Sequence, residues 1–365
     1  MFVFQLPEDV LFLVLSYLDP KSLCRFSQTC RRSYQFISRD AVWRRIAKDM
    51  INTGLTRQGI DLCHSVPLKD RVRVSHNWTH GVCRKEILLK WKINLLPWIQ
   101  LDCDVLYLSQ AANISAYHLR ADGGKLQNSR VALFSGHQED VCRFTLTDTH
   151  LISAGGYFIV LLLFYCGYSN YLVLFNHCMY FVINEIYIYI YIYIFDYFRS
   201  LHFCRTFVTG TACCENFAPL RIWDTERCHL VSCLGTEFRR GAGVLDIIYE
   251  SPFQLLTCGY DTFIRYWDLR VCSRKCVMEW EEPHDSALYC IKTDRNHMIA
   301  SGSSYYGVVR LWDKRQTRCL QMFQLAPTTS SPVYSLCFNT THLYAALASV
   351  LYSLDFRNAG SQSWK

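Results

Sequence analysis

A chain of 365 residues, 51% of them hydrophobic, has room for more than one domain and for cores of real size. Nineteen cysteines, an odd number without a regular spacing or a signal-peptide pattern, exclude a small disulfide-framed secreted protein and read as small buried hydrophobes. The net charge of +7 is modest, and neither a metal nor any other cofactor is expected, because Cys213-Cys214 and Cys272/Cys276 lack partners at zinc spacing.

Leu6-Pro7-Glu8-Asp9 opens a helix, with Pro fixing the entry and the acids favouring the N-terminal dipole. Val10-Leu11-Phe12-Leu13-Val14-Leu15 then makes this helix apolar around most of its circumference, so it needs cover on two sides and a partner is implied. Asp19-Pro20 reads as an N-cap followed by Pro at N1, starting a second helix with Leu23 and Phe26. Cys30-Arg31-Arg32 begins a third, and Asp40 is placed to cap a fourth carrying Val42, Trp43 and Ile46. The result is a small all-α bundle over residues 1–50. Leu6-Pro7, Leu18-Asp19, Leu23, Cys30-Arg31 and Trp43 resemble the F-box, nearly without gaps over residues 6–47. The resemblance implies docking to a Skp1-type adaptor and through it to a cullin core. Leu6, Pro7, Leu11, Leu15, Leu18, Leu23 and Trp43 would then form or support that contact. For Leu23 and Trp43 a purely internal role in the bundle is the alternative.

Residues 51–95 read as a basic helical linker. Lys69, Arg71, Arg73, Arg84, Lys85, Lys90 and Lys92 face only Asp70 and Glu86, which reads as a solvated connector, with a nucleic-acid surface as the alternative not adopted. Residues 96–156 carry fragments of β-blades. Val105–Ser109 and Ile114–Tyr117 look like the end of one, and Gly136-His137, Asp140-Val141 and Leu151–Gly156 like the front of the next.

Residues 157–206 depart from this pattern. Positions 157–204 hold 17 aromatics, one glycine and only Glu185, Asp196 and Arg199 as charges. Residues 158–183 are apolar enough for a membrane helix by hydropathy.

The C-terminal part, residues 207–357, repeats. Arg221-Ile222-Trp223-Asp224, Arg265-Tyr266-Trp267-Asp268 and Arg310-Leu311-Trp312-Asp313 place their tryptophans 44 and 45 residues apart, and a degraded copy ends at Asp355. A period of this length ending in Trp-Asp marks a four-stranded propeller blade. Each Trp is expected to fill space between blades, and each Asp to close a turn. His137 and His284 are expected to hydrogen-bond within their blades.

The fold expected is therefore α+β multidomain: an all-α F-box bundle followed by an all-β WD-repeat propeller, with residues 358–365 as a tail. The stretch Cys83–Trp91, Trp98 and Pro283-His284-Asp285-Ser286 add to the likeness, so the chain is similar to F-box/WD-repeat proteins over about residues 6–156 and 207–357. That family implies seven blades, of which about one is missing or disrupted here. A membrane span in the middle of a closed propeller would split the flanking blades across a membrane, so membrane insertion is not the expectation adopted. Tyr187–Ile194 alternates Tyr and Ile four times, as a TA repeat would encode, so the segment reads as a translated intron standing in for a coding exon. A lineage-specific insertion and a real membrane segment over residues 158–183, anchoring the protein, are the rivals. Sequencing the transcript between the codons for Gly155 and Phe207 is expected to return a Trp-Asp-type blade; a product encoding Tyr157–Cys204 as it stands would sink the reading.

No Walker loop, His-Glu-x-x-His or Gly-x-Ser-x-Gly is present, and no cysteine set suited to ubiquitin transfer, so a non-enzymatic adaptor is expected. The family resemblance implies the substrate-recognition subunit of an SCF-type ubiquitin ligase, cytoplasmic or nuclear, with an unidentified protein substrate. A Skp1-binding scaffold without substrate turnover is the alternative. Arg239 and Arg240, in an expected inter-blade loop, are candidate substrate contacts, with a solvated loop as the plainer reading.

Overall fold

The computed structural model describes residues 6–357 apart from 121–122, 147–149, 156–157, 164–170, 175–205, 211–217, 225–226, 228, 237, 240 and 272–274. Five helices come first: α1 (Glu8–Ser16), α2 (Pro20–Ser27), α3 (Arg31–Ile37), α4 (Asp40–Asp49) and α5 (Leu68–His80). Asp19 caps α2 as expected, accepting from the Lys21 and Ser22 amides at 3.1 Å. Asp40 does not cap its own helix. Its carboxylate accepts instead from the Leu68 amide at 2.9 Å, because α5 starts behind Pro67 without a side-chain cap and its first N–H needs an acceptor.

Helix α5 serves two cores. Leu68 and Val72 pack with Leu11, Leu15, Leu23, Phe36 and Trp43 of the first four helices, whereas Val74 and Trp78 pack against the last β-sheets. Trp78 is fully buried, donates from Nε1 to the Thr340 carbonyl at 2.9 Å and stacks on Phe356 with ring centroids 3.7 Å apart. Gly81 ends the helix in the left-handed region (φ 69°).

Strand β1 (Arg84–Lys90) follows, then six antiparallel sheets in chain order. The first is β2 (Ile99–Asp102), β3 (Val105–Gln110), β4 (Asn113–Leu119) and β5 (Leu126–Ser135). The second is β6 (Val141–Leu146), β7 (His150–Gly155), β8 (Phe158–Leu163) and β9 (Tyr171–Leu174). The third has three described strands, β10 (Thr206–Gly210), β11 (Leu220–Asp224) and β12 (Leu230–Leu234). The fourth is β13 (Val244–Ser251), β14 (Gln254–Gly259), β15 (Phe263–Asp268) and β16 (Met278–Glu281). The fifth is β17 (Leu288–Thr293), β18 (Met298–Ser303), β19 (Val308–Asp313) and β20 (Cys319–Gln324). The sixth contains β21 (Val333–Phe338), β22 (His342–Leu347) and β23 (Val350–Asp355), and takes β1 as its outer strand. Each sheet is a blade, and β1 closes the ring by pairing antiparallel with β23, from Arg84 against Asp355 to Lys90 against Val350.

Three readings of the sequence are corrected here. The propeller begins at Arg84, not at residue 96, because the apolar run Ile87-Leu88-Leu89 flanked by charges suits the outer strand of a sheet. The basic block is not a solvated connector throughout. Arg71 is buried and grips both carboxylate oxygens of Asp61 at 2.8 and 2.7 Å, which holds the Asp61 carboxyl below its ordinary range. Val105–Ser109 and Ile114–Tyr117 are not the end of a blade but the middle of a complete one, flanked by the short β2 and the polar β5.

The apolar stretch after Gly155 supplies strands, not a helix, over the residues described: β8 pairs with β7 and β9 with β8. Among the described residues no helix is long and apolar enough to cross a membrane. The Tyr-Ile run lies outside the described residues.

The repeat residues make hydrogen bonds within their own blades. Trp223, Trp267 and Trp312 donate from Nε1 to Thr209, Thr257 and Ser301 at 2.8, 2.9 and 2.8 Å. Asp224, Asp268, Asp313 and Asp355 accept from the amides of Arg227, Arg270, Arg315 and Arg357, closing the turn after each third strand. His137 meets the Ser153 hydroxyl at 2.8 Å within its blade. The His284 side chain is exposed, and only its backbone amide is used, donating to Glu282.

Trp-Asp ends the third strand of the fourth and fifth blades, so β11, which also ends in it, is a third strand. The innermost position of the third blade is then unfilled among the described residues. Across it, Arg143 of β6 reaches Asp246 of β13 at 2.9 Å and the Leu245 carbonyl at 2.6 Å. Asp246 is wholly buried and also accepts from the Ile247 and Ile291 amides. One carboxylate thus ties together the inner strands of the second, fourth and fifth blades.

Candidate docking and recognition surfaces

Two surfaces stand out, one on the helical bundle and one on the propeller. On α1, Leu11 and Leu15 point into the bundle. The other side of the same helix leaves Val10, Leu13, Val14 and Tyr17 exposed, Leu13 at 57% and Tyr17 at 71%. Leu6, Pro7 and Leu18 are also exposed and frame its two ends. Leu23 and Trp43 are fully buried, and the Trp43 indole donates to the Ile37 carbonyl at 2.6 Å, so these two hold the bundle together from inside. Of the residues the sequence singles out, Leu6, Pro7 and Leu18 lie on the surface, and Leu11, Leu15, Leu23 and Trp43 support it. Val10, Leu13, Val14 and Tyr17 were legible only as part of an apolar run; their helical spacing was the signal that separates the outer face from the inner one.

In a four-stranded meander the connections alternate between the two ends of the strands, which gives the propeller two loop faces. The helical part occupies one of them. The Asn52 amide donates to Asp294 at 2.8 Å, Asn52 Nδ2 to the Asn339 carbonyl at 2.9 Å, Asn296 Nδ2 to Lys48 and Arg315 to the Asp49 carbonyl. These partners lie in turns between first and second strands or between third and fourth strands, all on the same face.

The opposite face is formed by the turns between second and third strands and by the inter-blade loops. Arg239 is exposed in the loop between β12 and β13, as expected, whereas Arg240 lies outside the described residues. Over the last three blades this face is aromatic. Tyr289, near the start of β17, meets Tyr260 and Tyr334 edge-on, with ring centroids 6.4 and 5.7 Å apart. Tyr260, Tyr305 and Tyr306 are about half exposed. Sequence reading passed over these tyrosines, although Tyr260/Tyr289 recurs as Tyr305/Tyr334 one repeat of 45 residues later. No cluster able to hold a metal is found among the described residues.

Comparison with known proteins agrees with this division. The F-box-like family matches residues 3–49. The chain is 49% identical to the F-box/WD repeat-containing protein 4 of Homo sapiens, over 98% of this chain and 93% of that one. It is 48% identical to the Mus musculus protein of the same name, over 98% and 94%. The Talaromyces stipitatus protein named "Probable E3 ubiquitin ligase complex SCF subunit sconB" is 37% identical over 20% of this chain and 10% of its own. A solved WD40 β-propeller domain of Doa1 aligns over 73% of this chain and 80% of its own with 16% identity and a TM-score of 0.45. The alignments to the human and mouse proteins run over 384 residues, more than the 365 of this chain, so those relatives carry positions that it lacks.

Proposed function

Because this chain belongs to the F-box/WD-repeat proteins, we propose that it is the substrate-receiving subunit of an SCF-type E3 ubiquitin ligase, with no catalytic group of its own. The observation that carries the proposal is α1, which is apolar on both sides but covered by the bundle on one. A Skp1-type adaptor seated on Leu6, Pro7, Val10, Leu13, Val14, Tyr17 and Leu18 supplies the missing cover. The adaptor brings the cullin core, and the free face of the propeller holds the substrate. The chemistry belongs to the partners. This chain raises the effective concentration of a substrate lysine near the charged conjugating enzyme.

The proposal is tested by Leu6→Ala combined with Pro7→Ala. Adaptor co-purification is expected to fall to background while helix content by circular dichroism stays unchanged, since both side chains lie outside the core. Co-purification equal to that of the parent chain would defeat the docking assignment.

A further inference from the structure

We infer that the propeller face over the fourth, fifth and sixth blades receives a basic side chain, an arginine or lysine of the bound protein, against Tyr260, Tyr289 and Tyr334. The inference names the substrate class for the receptor role proposed above and rests on it. Its first support is the ring geometry. Tyr289 stands nearly perpendicular to both neighbours, at 76° and 86°, so the rings form adjoining walls. A cation seated within about 6 Å of such rings is held by their negative π faces.

The second support is where this chain spends its own cations. Arg143 lies over Trp98 at 4.1 Å, Arg265 over Phe238 at 4.1 Å and Arg270 over Phe253 at 5.9 Å. Among the described residues no Lys or Arg of the chain lies over Tyr260, Tyr289, Tyr305 or Tyr334, so these rings are open to a cation from outside.

Charge distribution gives the third. The segments that flank these tyrosines, residues 259–262, 282–287, 303–307, 325–332 and 347–350, contain no Lys or Arg, and the cations of this face, Arg239 before the fourth blade and Lys90 and Lys92 after the sixth, stand in the loops at its two edges. Their acids are Asp261, paired with Arg265, Glu282, paired with Arg310, and the exposed Asp285. The basic residues of these blades, among them Arg270, Lys275, Arg295, Lys314 and Arg315, lie in turns on the face that carries the helical bundle. A phosphorylated motif needs an Arg or Lys cluster and finds none in these segments. A basic segment finds π faces, hydroxyls from Thr328, Thr329 and Ser330, and the exposed carboxylate of Asp285 beside them. Burial above all, with the nearby Tyr260, Tyr334 and Tyr305, pushes the Tyr289 phenol up, so this ring is neutral at physiological pH.

The test uses the full chain co-expressed with its adaptor and two fluorescein-labelled Gly/Ser nonapeptides, one with three arginines and one with three phosphoserines. The arginine peptide is expected to bind the parent chain, to bind Tyr289→Ala/Tyr334→Ala at least about tenfold more weakly, and to bind Tyr289→Phe/Tyr334→Phe within about threefold of the parent. Tyr260→Ala/Tyr305→Ala, at half-exposed positions, repeats the measurement without disturbing packed residues and is expected to weaken binding similarly. Equal affinity of the arginine peptide for parent and both alanine pairs, or tighter binding of the phosphoserine peptide to the parent, overturns the inference. Adaptor co-purification separates the two readings: its loss from the parent chain defeats the receptor role, whereas its retention alongside unchanged peptide binding defeats only the tyrosine site.

Discussion

Replacing Asp246 with alanine is expected to lower the stability of the propeller by about 3–5 kcal/mol, as breaking a buried charge pair does. The substitution takes the carboxylate partner from the part-buried Arg143 guanidinium and leaves the Ile247 and Ile291 amides without their acceptor. Asp246→Asn keeps an acceptor oxygen for an amide and is expected to cost less. Urea denaturation followed by tryptophan fluorescence reads the difference as a shift in midpoint. A midpoint for Asp246→Ala within error of the parent would mean that the carboxylate does not tie the three inner strands together.

Trp78→Ala is expected to cost about 3–5 kcal/mol as well, in the range for truncating a buried large aromatic. Its second effect is on architecture. Loss of the stack on Phe356 and of the hydrogen bond to Thr340 loosens the C-terminal half of α5 on the last blades, where Val74 and the Asn77 bond to the Phe356 carbonyl remain, while Leu68 and Val72 still hold its N-terminal half in the bundle. Limited proteolysis is then expected to cut between residues 50 and 84, with adaptor binding retained by the N-terminal fragment. A variant that melts at the parent temperature and resists cleavage there would rule out the joint as described.

Much of this architecture was legible in advance because it is local. The Trp-Asp tetrapeptides fix the third strand of each blade, and the spacing between them fixes the blade length, so the last blades followed from Trp223, Trp267 and Trp312. Asp19-Pro20 marked a helix start for the same reason: cap and first turn are neighbours in sequence. What could not be read depends on distant partners. Nothing in Arg84–Lys90 reveals that its partner is Val350–Asp355, and Asp40 gives no sign that the amide it serves is that of Leu68. Phe158–Leu163 was ambiguous for another reason. An uncharged apolar run satisfies helix and strand equally, and only the neighbouring β7 decides. On the recognition surfaces, the exposed half of α1 was hidden inside a uniform run, and the tyrosines were hidden because the repeat draws the eye to its tryptophans.

The pairing of β1 with β23 sets an order of events during synthesis. The bundle of α1 to α4 can form early in synthesis, because its core is built within the first 72 residues. The ring cannot close until the last strand has been made, since residues 84–90 must wait for residues 350–355. Until then β1 and the inner strands of an unfinished ring present unpaired backbone edges, the form most exposed to aggregation and to chaperones. Under the docking role proposed above, such a chain meets its adaptor before its propeller is able to hold a target, so its own unfinished propeller is the first unfolded polypeptide brought within reach of that adaptor.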